Sequence, residues 1–561
     1  MAVIINADGV LLKVVVTSAL PFSYSTPHLG NFVGSILPAD VYHKFLLMRG
    51  ADAIFICGSD QHGTQAELKA LREGIAVEVL AEKMHKEIKE LFAMYDCGFT
   101  HYGRTDSEAS KELTYEFFNA LRNNGYIVEN QSKQAYCKID RRYLADRFIE
   151  GECPYCHKGN ARGDQCDDCG HLLEPEQIIN PHCNVCGKSE IEFRLVKNLA
   201  IALDKLQDKI EEFVLEASKS NWTKNAINKP LSFIKEGLKP REITRNMKWG
   251  FPVPLEGFED TVFYVWFDNL LSYIAITKEW DRDRYKSYWK DSDTEIVHFM
   301  GKDNIEFHAI LWPGYLIGSG LGYTMPKTIR ASENLTLKAG KWSKSRGIGI
   351  DMKTALSILG SDYWRFTLML AYPETADSEF SLAVIEESVN KLMNGKIGNL
   401  LHRALTITKQ NKEMIPEKIE ISKEYMDKFN SCLKDYEENF EQMKLREAAA
   451  ALLKLADLGN SIMSEEEPWT LAKGDSKSKE RFCSVMESVL VIAYSMSIML
   501  WPFAPKSAET ALGYFNRKRP DFKMLYEARD RGFRLEIKDD FKPIFTKMTE
   551  AQAEELKRYK F

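Results

Sequence analysis

Short apolar runs alternate with longer stretches of helical periodicity in the first part of the chain. Two such runs come first, and two more follow a polar, cysteine-rich segment at 151–190. Strands that alternate with helices favour a parallel α/β sheet, here interrupted by an insertion. The strand-like runs are 11–20, 51–60, 261–267 and 295–300, and the helical patterns lie at 28–48, 65–94 and 107–123.

The second part of the chain has a different pattern. From about residue 386 onward nearly every segment shows helical periodicity, as in 446–463, which predicts a helical bundle. No apolar run reaches the ~18 residues that a membrane span needs, so no membrane association is expected. The segment 533–561 is short and charged, and we expect it to pack loosely on the body.

Composition and charge are those of an ordinary globular protein. The chain has 561 residues, 44% hydrophobic and 28% charged, and at ~150 residues per domain this length suggests about four domains. Its 75 Lys and Arg against 81 Asp and Glu give a net charge of −6, which argues against a nonspecific nucleic-acid coat. This net charge is still compatible with an enzyme that has a local basic face. The N-terminus lacks a basic region and contains Asp8, so we expect no signal peptide and a cytoplasmic location.

Six of the eleven cysteines form three C-x-x-C pairs. In a large cytosolic chain such clustering indicates metal rather than disulfides. The first two pairs supply four thiolates that suit one tetrahedral structural Zn²⁺, with four unligated thiols as the alternative. The third pair, Cys183 and Cys186, lacks a partner pair; His157, His171 and His182 are nearby in sequence, and a second zinc stays open. The predicted zinc ligands are Cys153, Cys156, Cys166 and Cys169.

A polar motif, Pro27-His28-Leu29-Gly30-Asn31, follows the first predicted strand and begins a helix. Helix N-termini present unpaired N–H groups and a positive dipole end, which favour phosphate. His28 and Asn31 lie one turn apart on the same side, and Gly30 lets a ligand ring approach the backbone. The motif therefore suits a nucleoside triphosphate, although an ordinary capped helix with a surface histidine would look the same.

A second motif, Lys341-Trp342-Ser343-Lys344-Ser345, lies between Gly340 and Gly347. Two lysines three residues apart can stabilise charge that develops on transferring phosphates. A solvated basic loop is the alternative, and the G-x-x-x-x-G-K-[ST] loop is absent from the sequence.

The motifs HLGN and KWSKS, in this order, resemble the paired signatures H-x-G-H/N and K-M-S-K-S of class I aminoacyl-tRNA synthetases. Further segments resemble the methionyl-tRNA synthetases of that class, and the resemblance covers roughly residues 12 to 535. These segments are 19–22, 58–64, 263–268, 301–308, 399–403 and 468–469.

The resemblance implies a Rossmann-type α/β catalytic domain, split by a zinc-knuckle insertion that folds over the active site and followed by an α-helical anticodon-binding domain. The implied boundaries are 1–125 and 236–335 for the catalytic halves, 126–235 for the insertion, 336–385 for the KMSKS-loop and stem-contact region, 386–532 for the anticodon-binding domain and 533–561 for a C-terminal tail.

The implied reaction is ATP-dependent activation of L-methionine to methionyl-adenylate, followed by transfer to the 3′ end of tRNA(Met). Mg²⁺ would accompany ATP. The implied catalytic residues are His28, Asn31, Lys341 and Lys344. The implied ATP-binding residues are Pro27, His28, Gly30, Asn31, Lys341, Ser343, Lys344 and Ser345.

The resemblance also implies a methionine pocket. A thioether suits aromatic faces with a weak donor, and a substrate ammonium suits a carboxylate at the C-terminal end of a strand. Core packing would equally explain the two large aromatic residues. Three positions depart from the family pattern: Asn31, Trp342, and Asn269-Leu270 in place of Ala-Pro. The implied pocket residues are Leu20, Phe22, Asp60, Trp266, Tyr273 and His308.

A basic, acid-free stretch at 388–412 and the pair Pro468-Trp469 suggest the anticodon site. Asn399 and Arg403 share one face of a helix, and Trp469 could stack on an unstacked base. A solvated basic face and a core tryptophan are the alternatives.

Two other functions stay open on the sequence alone. Another class I synthetase or amino-acid ligase would share both signatures, although the pocket residues and the lack of a large editing insertion argue against it. A non-catalytic tRNA-binding paralogue should have lost the phosphate-binding residues. The expected partners are tRNA(Met), L-methionine and ATP. No further tRNA-binding barrel is evident, so we expect a monomer.

Overall fold

The computed structural model describes residues 12–163, 166, 168–169, 171, 173, 175–338, 340, 342, 348–538 and 540–561. Its main sheet has five parallel strands in the order β5-β4-β1-β2-β3. This confirms the predicted parallel α/β architecture. The strands are β1 (Lys13–Ser18), β2 (Asp52–Ser59), β3 (His101–Arg104), β4 (Glu295–Gly301) and β5 (Thr328–Ser332).

The predicted strand at 261–267 is wrong. Only Val262–Phe263 forms a strand, and a helix begins at Val265 and ends at Trp280. That helix is buried on nearly all sides from Phe267 to Thr277, so its sequence lacks the polar face that marks a surface helix.

Helices cover both faces of the main sheet, which explains why β1 reads as a continuous apolar run. Val14, Val15 and Val16 are fully buried. Two short π-helical segments, Phe32–Ile36 and Phe307–Leu311, interrupt the α-helices. The α-helices of this part are Leu29–Asn31, Leu37–Met48, Thr64–Glu73, Val77–Met94, Glu108–Asn123, Val265–Trp280, Tyr285–Trp289 and Trp312–Ser319.

An antiparallel ribbon, Ile127–Cys137 paired with Ile191–Ile201, carries the inserted segment. At its far end a small sheet holds the cysteine pairs around a minor apolar cluster that includes Phe148 and Ile149. The strands of the small sheet are Ala161–Arg162, Ile149–Glu152 and Ile179–Cys183; helices Gln207–Ala217 and Lys224–Glu236 lead back to the body.

The second part is helical, as predicted. Helix Ser476–Met499 is long and apolar enough to cross a membrane by length and composition, but 83% of its apolar window is buried in the protein. It packs against several other helices, so burial in the bundle accounts for its apolar sequence. The helices are Met352–Ile358, Ser361–Leu370, Leu382–Glu387, Ser388–Gly398 (π), Asn399–Gln410, Lys423–Glu441, Leu445–Glu466, Pro468–Leu471, Ser476–Met499, Pro505–Tyr514, Phe522–Arg531 and Glu550–Lys557.

The expectation that 533–561 packs loosely is wrong. Phe545 and Leu556 are buried, and the Gly349 amide donates to the Lys560 carbonyl over 2.9 Å. The segment therefore returns from the helical part to the catalytic part and fixes one to the other.

A buried charge cluster also joins these parts. The Arg365 guanidinium lies 2.7 Å from the Asp40 carboxylate, which also accepts from Lys44. Burial would raise the pKa of Asp40, but Lys44, Arg365 and the Gly98 amide together hold it below its usual value. Arg365 also donates to the carbonyls of Tyr95, Pro502 and Phe503.

Candidate active site and metal centres

The HLGN motif lies in the crevice beyond the C-terminal end of β1. Since β1 has β2 on one side and β4 on the other, strand order reverses here, and open α/β sheets bind ligands at such points. His28 caps the helix: its Nδ1 accepts from the Asn31 amide (3.1 Å), and its own amide donates to Asn31 Oδ1 (3.2 Å). A π-helical turn follows at Phe32–Ile36.

Trp342 of the KWSKS motif lies against this turn. Its indole stacks on the His28 imidazole, with ring centroids 5.3 Å apart and an interplanar angle of 13°. The end of the loop is also close, because His28 and Asp351 form a β-bridge. The other predicted residues of the motif, Lys341, Ser343, Lys344 and Ser345, lie outside the described residues.

Asp60, at the end of β2, offers a buried carboxylate to the crevice. Only 2% of the residue is exposed, and neither carboxylate oxygen accepts a hydrogen bond of good geometry from the residues that the structure describes. Burial and the charge of Asp268 raise its pKa well above the usual value, although Asn269 and Thr105 act in the opposite direction. A buried carboxylate with no cation paired to it among the described residues is suited to bind one.

The loop after β1 is fixed next to this carboxylate. Its backbone pairs with Asp60 through the amide of Ser23 and the carbonyl of Pro21, each over 2.8 Å. The pairing places Phe22 opposite Asp60, and Phe22 is 41% exposed. Leu20 at the start of the loop is buried.

An aromatic pocket continues from Phe22. Its ring meets the edge of Trp266 at 6.4 Å, and Trp266 stacks on Phe307 at 3.5 Å. The fully buried Tyr273 lies deeper, with its hydroxyl 2.9 Å from His308 Nε2.

His308 is neutral in this pocket, because burial lowers its pKa to about 4. Its Nδ1 faces the Asn304 carbonyl at 3.0 Å, so the proton resides on Nδ1 and Nε2 accepts from the Tyr273 hydroxyl. Behind them, His298 contacts Thr17 Oγ1 over 2.5 Å. The structure thus brings together five of the six predicted pocket residues, and the sixth, Leu20, is buried at the start of the adjoining loop.

Three residues that the sequence analysis left unassigned support the pocket. His62 Nδ1 contacts the Asp268 carboxylate over 2.5 Å, and the backbone carbonyl of Gln61 accepts from Trp249. All three of His62, Asp268 and Gln61 are buried polar residues next to Asp60. The sequence did contain a signal for them, because Gln61, His62 and Asp268 lie in the segments 58–64 and 263–268 that carry the family resemblance.

The four predicted zinc ligands converge. Cys153 and Cys169 Sγ are 3.7 Å apart, and Cys156 and Cys166 Sγ are 3.6 Å apart. Four sulfurs bound tetrahedrally at ~2.3 Å lie about 3.8 Å from one another. The described thiols therefore fit one structural Zn²⁺ without rearrangement.

A second group of potential ligands consists of Cys137, Asp140, Cys183 and Cys186. Cys137 and Cys186 Sγ are 3.7 Å apart, and the Asp140 carboxylate lies 3.0 Å from Cys183. The three nearby histidines, named as potential ligands from the sequence, do not belong to this described group.

The predicted anticodon residues also lie together. Asn399 and Arg403 share helix Asn399–Gln410, and the Arg403 guanidinium lies 5.1 Å from the centre of the Trp469 ring. Trp469 is 39% exposed, so it is not a core residue. Asn399 donates to Asn460 over 3.0 Å.

Comparison with known proteins identifies the family. The model of class I tRNA synthetases (M) matches residues 14–405, and that of the anticodon-binding domain of methionyl tRNA ligase matches 416–561. The chain is 38% identical to the methionine–tRNA ligase of Pyrobaculum islandicum, covering 97% of this chain and 96% of that protein. It is 36% identical to a probable cytoplasmic methionine–tRNA ligase of Dictyostelium discoideum, covering 98% and 75%.

Solved structures agree with the fold. The Mycobacterium tuberculosis methionyl-tRNA synthetase bound by methionyl-adenylate aligns with a TM-score of 0.79 at 21% identity, over 95% of this chain and 100% of that one. The family models together span nearly the whole described chain. The chain therefore belongs to the methionyl-tRNA synthetase family of class I aminoacyl-tRNA synthetases.

Proposed function

We propose that the chain activates L-methionine with ATP and transfers it to tRNA(Met). The observation that carries the proposal is the buried Asp60 carboxylate, which lies opposite Phe22 of the aromatic pocket, at the sheet edge where the HLGN turn also follows its strand. An ammonium, an apolar side chain and a triphosphate can then bind side by side.

In the first step the methionine carboxylate attacks the α-phosphorus of ATP, the bond to the β-phosphate breaks, and pyrophosphate leaves. Because His28 Nδ1 accepts from Asn31, the neutral imidazole carries its proton on Nε2, which can donate to a phosphate oxygen. Asn31, Lys341 and Lys344 add further donors and charge. Mg²⁺ bound with ATP would neutralise phosphate charge.

The adenine and ribose of ATP would lie along Pro27 and Gly30, and Ser343 and Ser345 would assist the two lysines. In the second step a terminal ribose hydroxyl of the tRNA attacks the carbonyl of the adenylate, and AMP leaves. Neither step needs a covalent bond to the protein.

The pocket recognises methionine through charge and polarisability. Asp60 pairs with the ammonium, while Leu20, Phe22 and Trp266 contact the side chain. Since His308 and Tyr273 are hydrogen-bonded to each other and both neutral, the base of the pocket offers no charge to an acidic or basic side chain. It does offer polarisable aromatic surface to a thioether.

The direct test is ATP–pyrophosphate exchange with each of the twenty amino acids. Methionine should support exchange, and the others should do so weakly or not at all. Exchange with cysteine, leucine or isoleucine in place of methionine would indicate another class I activity. A protein that binds tRNA but exchanges with none would be the non-catalytic paralogue.

Trp469 is proposed to stack on an anticodon base, assisted by Asn399 and Arg403. Stacking on one base is worth ~1–3 kcal/mol, so Trp469→Ala should lower aminoacylation of intact tRNA by roughly ten- to a hundredfold. Pyrophosphate exchange needs no tRNA and should stay unchanged, as should the melting temperature, since the ring is 39% exposed. Trp469→Phe, which keeps an aromatic ring, should lose less of the aminoacylation activity. Normal charging by Trp469→Ala would rule out the stacking role.

Zinc analysis of the purified protein should find two ions per chain, held by the two groups of ligands described above. Asp140→Ala should reduce the content to about one, because it removes one ligand of the second group only. Cys432→Ala, which changes a buried thiol outside both groups, is the control and should retain two. A wild-type content of one that Asp140→Ala leaves unchanged would show that the second group binds no zinc under these conditions.

We further propose that the protein acts in the cytoplasm as a monomer. Support for the location comes from the name of the Dictyostelium relative and from the reaction itself. The domain boundaries 1–125, 126–235, 236–335, 336–385, 386–532 and 533–561 are retained as proposals.

A further inference from the structure

The indole of Trp342 is held in the nucleotide crevice on several sides. It stacks on His28 at 5.3 Å, and its edge lies 3.0 Å from the position that a Cβ at Gly30 would occupy. On the other side a Cβ at Gly349 would overlap the indole. The ring therefore fits a slot that two glycines keep open.

One polar contact completes the arrangement. The indole Nε1–H donates to the Leu335 carbonyl over 2.8 Å. A flat, bicyclic aromatic group is thus recognised by a stacking partner, a glycine surface and a backbone acceptor. Adenine has the same features: two fused rings and an exocyclic amine that can donate to a carbonyl.

We propose that Trp342 occupies the adenine subsite while ATP is absent and leaves it when ATP binds. The proposal rests on the proposed function, because it takes ATP as the nucleotide whose phosphates bind at His28 and Asn31. Trp342 stands where the K-M-S-K-S signature usually has methionine. The proposal makes its indole a competitor of the adenine base.

The indole and the base cannot both use this slot. A base between the indole and Gly30 needs about 3.4 Å on each face, and the indole edge already lies 3.0 Å from the Cβ position at Gly30. The offset stack on His28, with centroids 5.3 Å apart, likewise leaves no room for an inserted ring. Base binding therefore requires the indole to move.

Displacement of the indole should affect the affinity for ATP but not the affinity for a triphosphate that has no base. If the slot is free in only a fraction of the molecules, the apparent affinity for ATP is reduced by that fraction. The triphosphate alone does not enter the slot, so its affinity is unaffected.

Calorimetric titration without methionine tests the proposal. Trp342→Ala should lower the Kd for ATP by roughly 3- to 10-fold and leave the Kd for inorganic tripolyphosphate within about twofold of wild type. Trp342→Phe, which has one ring and lacks the N–H, should give a smaller gain. Trp501→Ala, the control, removes a half-buried tryptophan of the helical part. It should change neither the Kd for ATP nor the Kd for tripolyphosphate.

Unchanged ATP binding by both Trp342 variants would overturn the proposal. Weaker ATP binding by both would also overturn it, because it would show that the indole stacks on the bound base. A parallel gain for ATP and tripolyphosphate would overturn it too, because the effect would then concern the phosphates. Thermal melts establish that each variant is folded. A wild-type protein that binds no ATP would instead refute the proposed function.

Discussion

Replacing Asp60 by Asn should lower kcat/KM for methionine in pyrophosphate exchange by roughly 10²- to 10⁴-fold. The substitution keeps the shape of the side chain but leaves the substrate ammonium without an opposite charge in a buried site. Breaking a buried ion pair in this way costs about 3–5 kcal/mol. The KM for ATP should stay near the wild-type value, because Asp60 lies toward the amino-acid side of the crevice.

The pH dependence of the KM for methionine provides a second measurement on the same variant. Burial and Asp268 raise the pKa of Asp60 in the empty pocket, so the wild-type carboxylate becomes protonated at a higher pH than an ordinary one. Methionine KM should therefore rise on acidification from neutral pH, and Asp60→Asn should lack this rise.

The control for Asp60 is Asp435→Asn, which alters a partly exposed carboxylate paired with Lys454 and should leave exchange unchanged. Wild-type kcat/KM in Asp60→Asn would remove the assigned role of this carboxylate.

Replacing Arg365 by Met should destabilise the protein by about 3–5 kcal/mol, because the substitution breaks a buried ion pair. It also leaves the buried carbonyls of Tyr95, Pro502 and Phe503 without their donor. The melting temperature measured by calorimetry should fall by about 3–4 °C for a chain of this length.

Arg558→Met is the matched control, because the Arg558 side chain is 73% exposed and pairs with Glu555 on the surface. An exposed pair contributes ~0–1 kcal/mol, so the melting temperature should barely change. Equal effects of the two substitutions would show that the buried cluster adds no special stability.

The sequence predicted those features that short segments encode. The apolar run at β1 and the HLGN turn follow from neighbouring residues, and both lie where the pattern placed them. The helix from Val265 to Trp280 was partly missed because TVFYVWF consists of strong β-formers, and tertiary burial overrides that preference.

Features that depend on distant residues could not be predicted in this way. Cys137 looked isolated because the chain returns to it only at Cys183 and Cys186. Nothing in the sequence near Gly30 indicates that Trp342 fills the space above it. The π-helical turns at Phe32–Ile36 and Phe307–Leu311 also have no simple sequence signal, although such turns are frequent at functional sites.

The order of the main sheet has a consequence during synthesis on the ribosome. The central strand β1 pairs with β2 almost at once, but its other partner, β4, begins only at Glu295. At a translation rate of 5–20 residues per second, the second edge of β1 stays unpaired for about 14–55 s until β4 is synthesised. An apolar strand edge exposed for that time can pair with another nascent chain, so we expect early-truncated products to aggregate and to be preferred clients of chaperones.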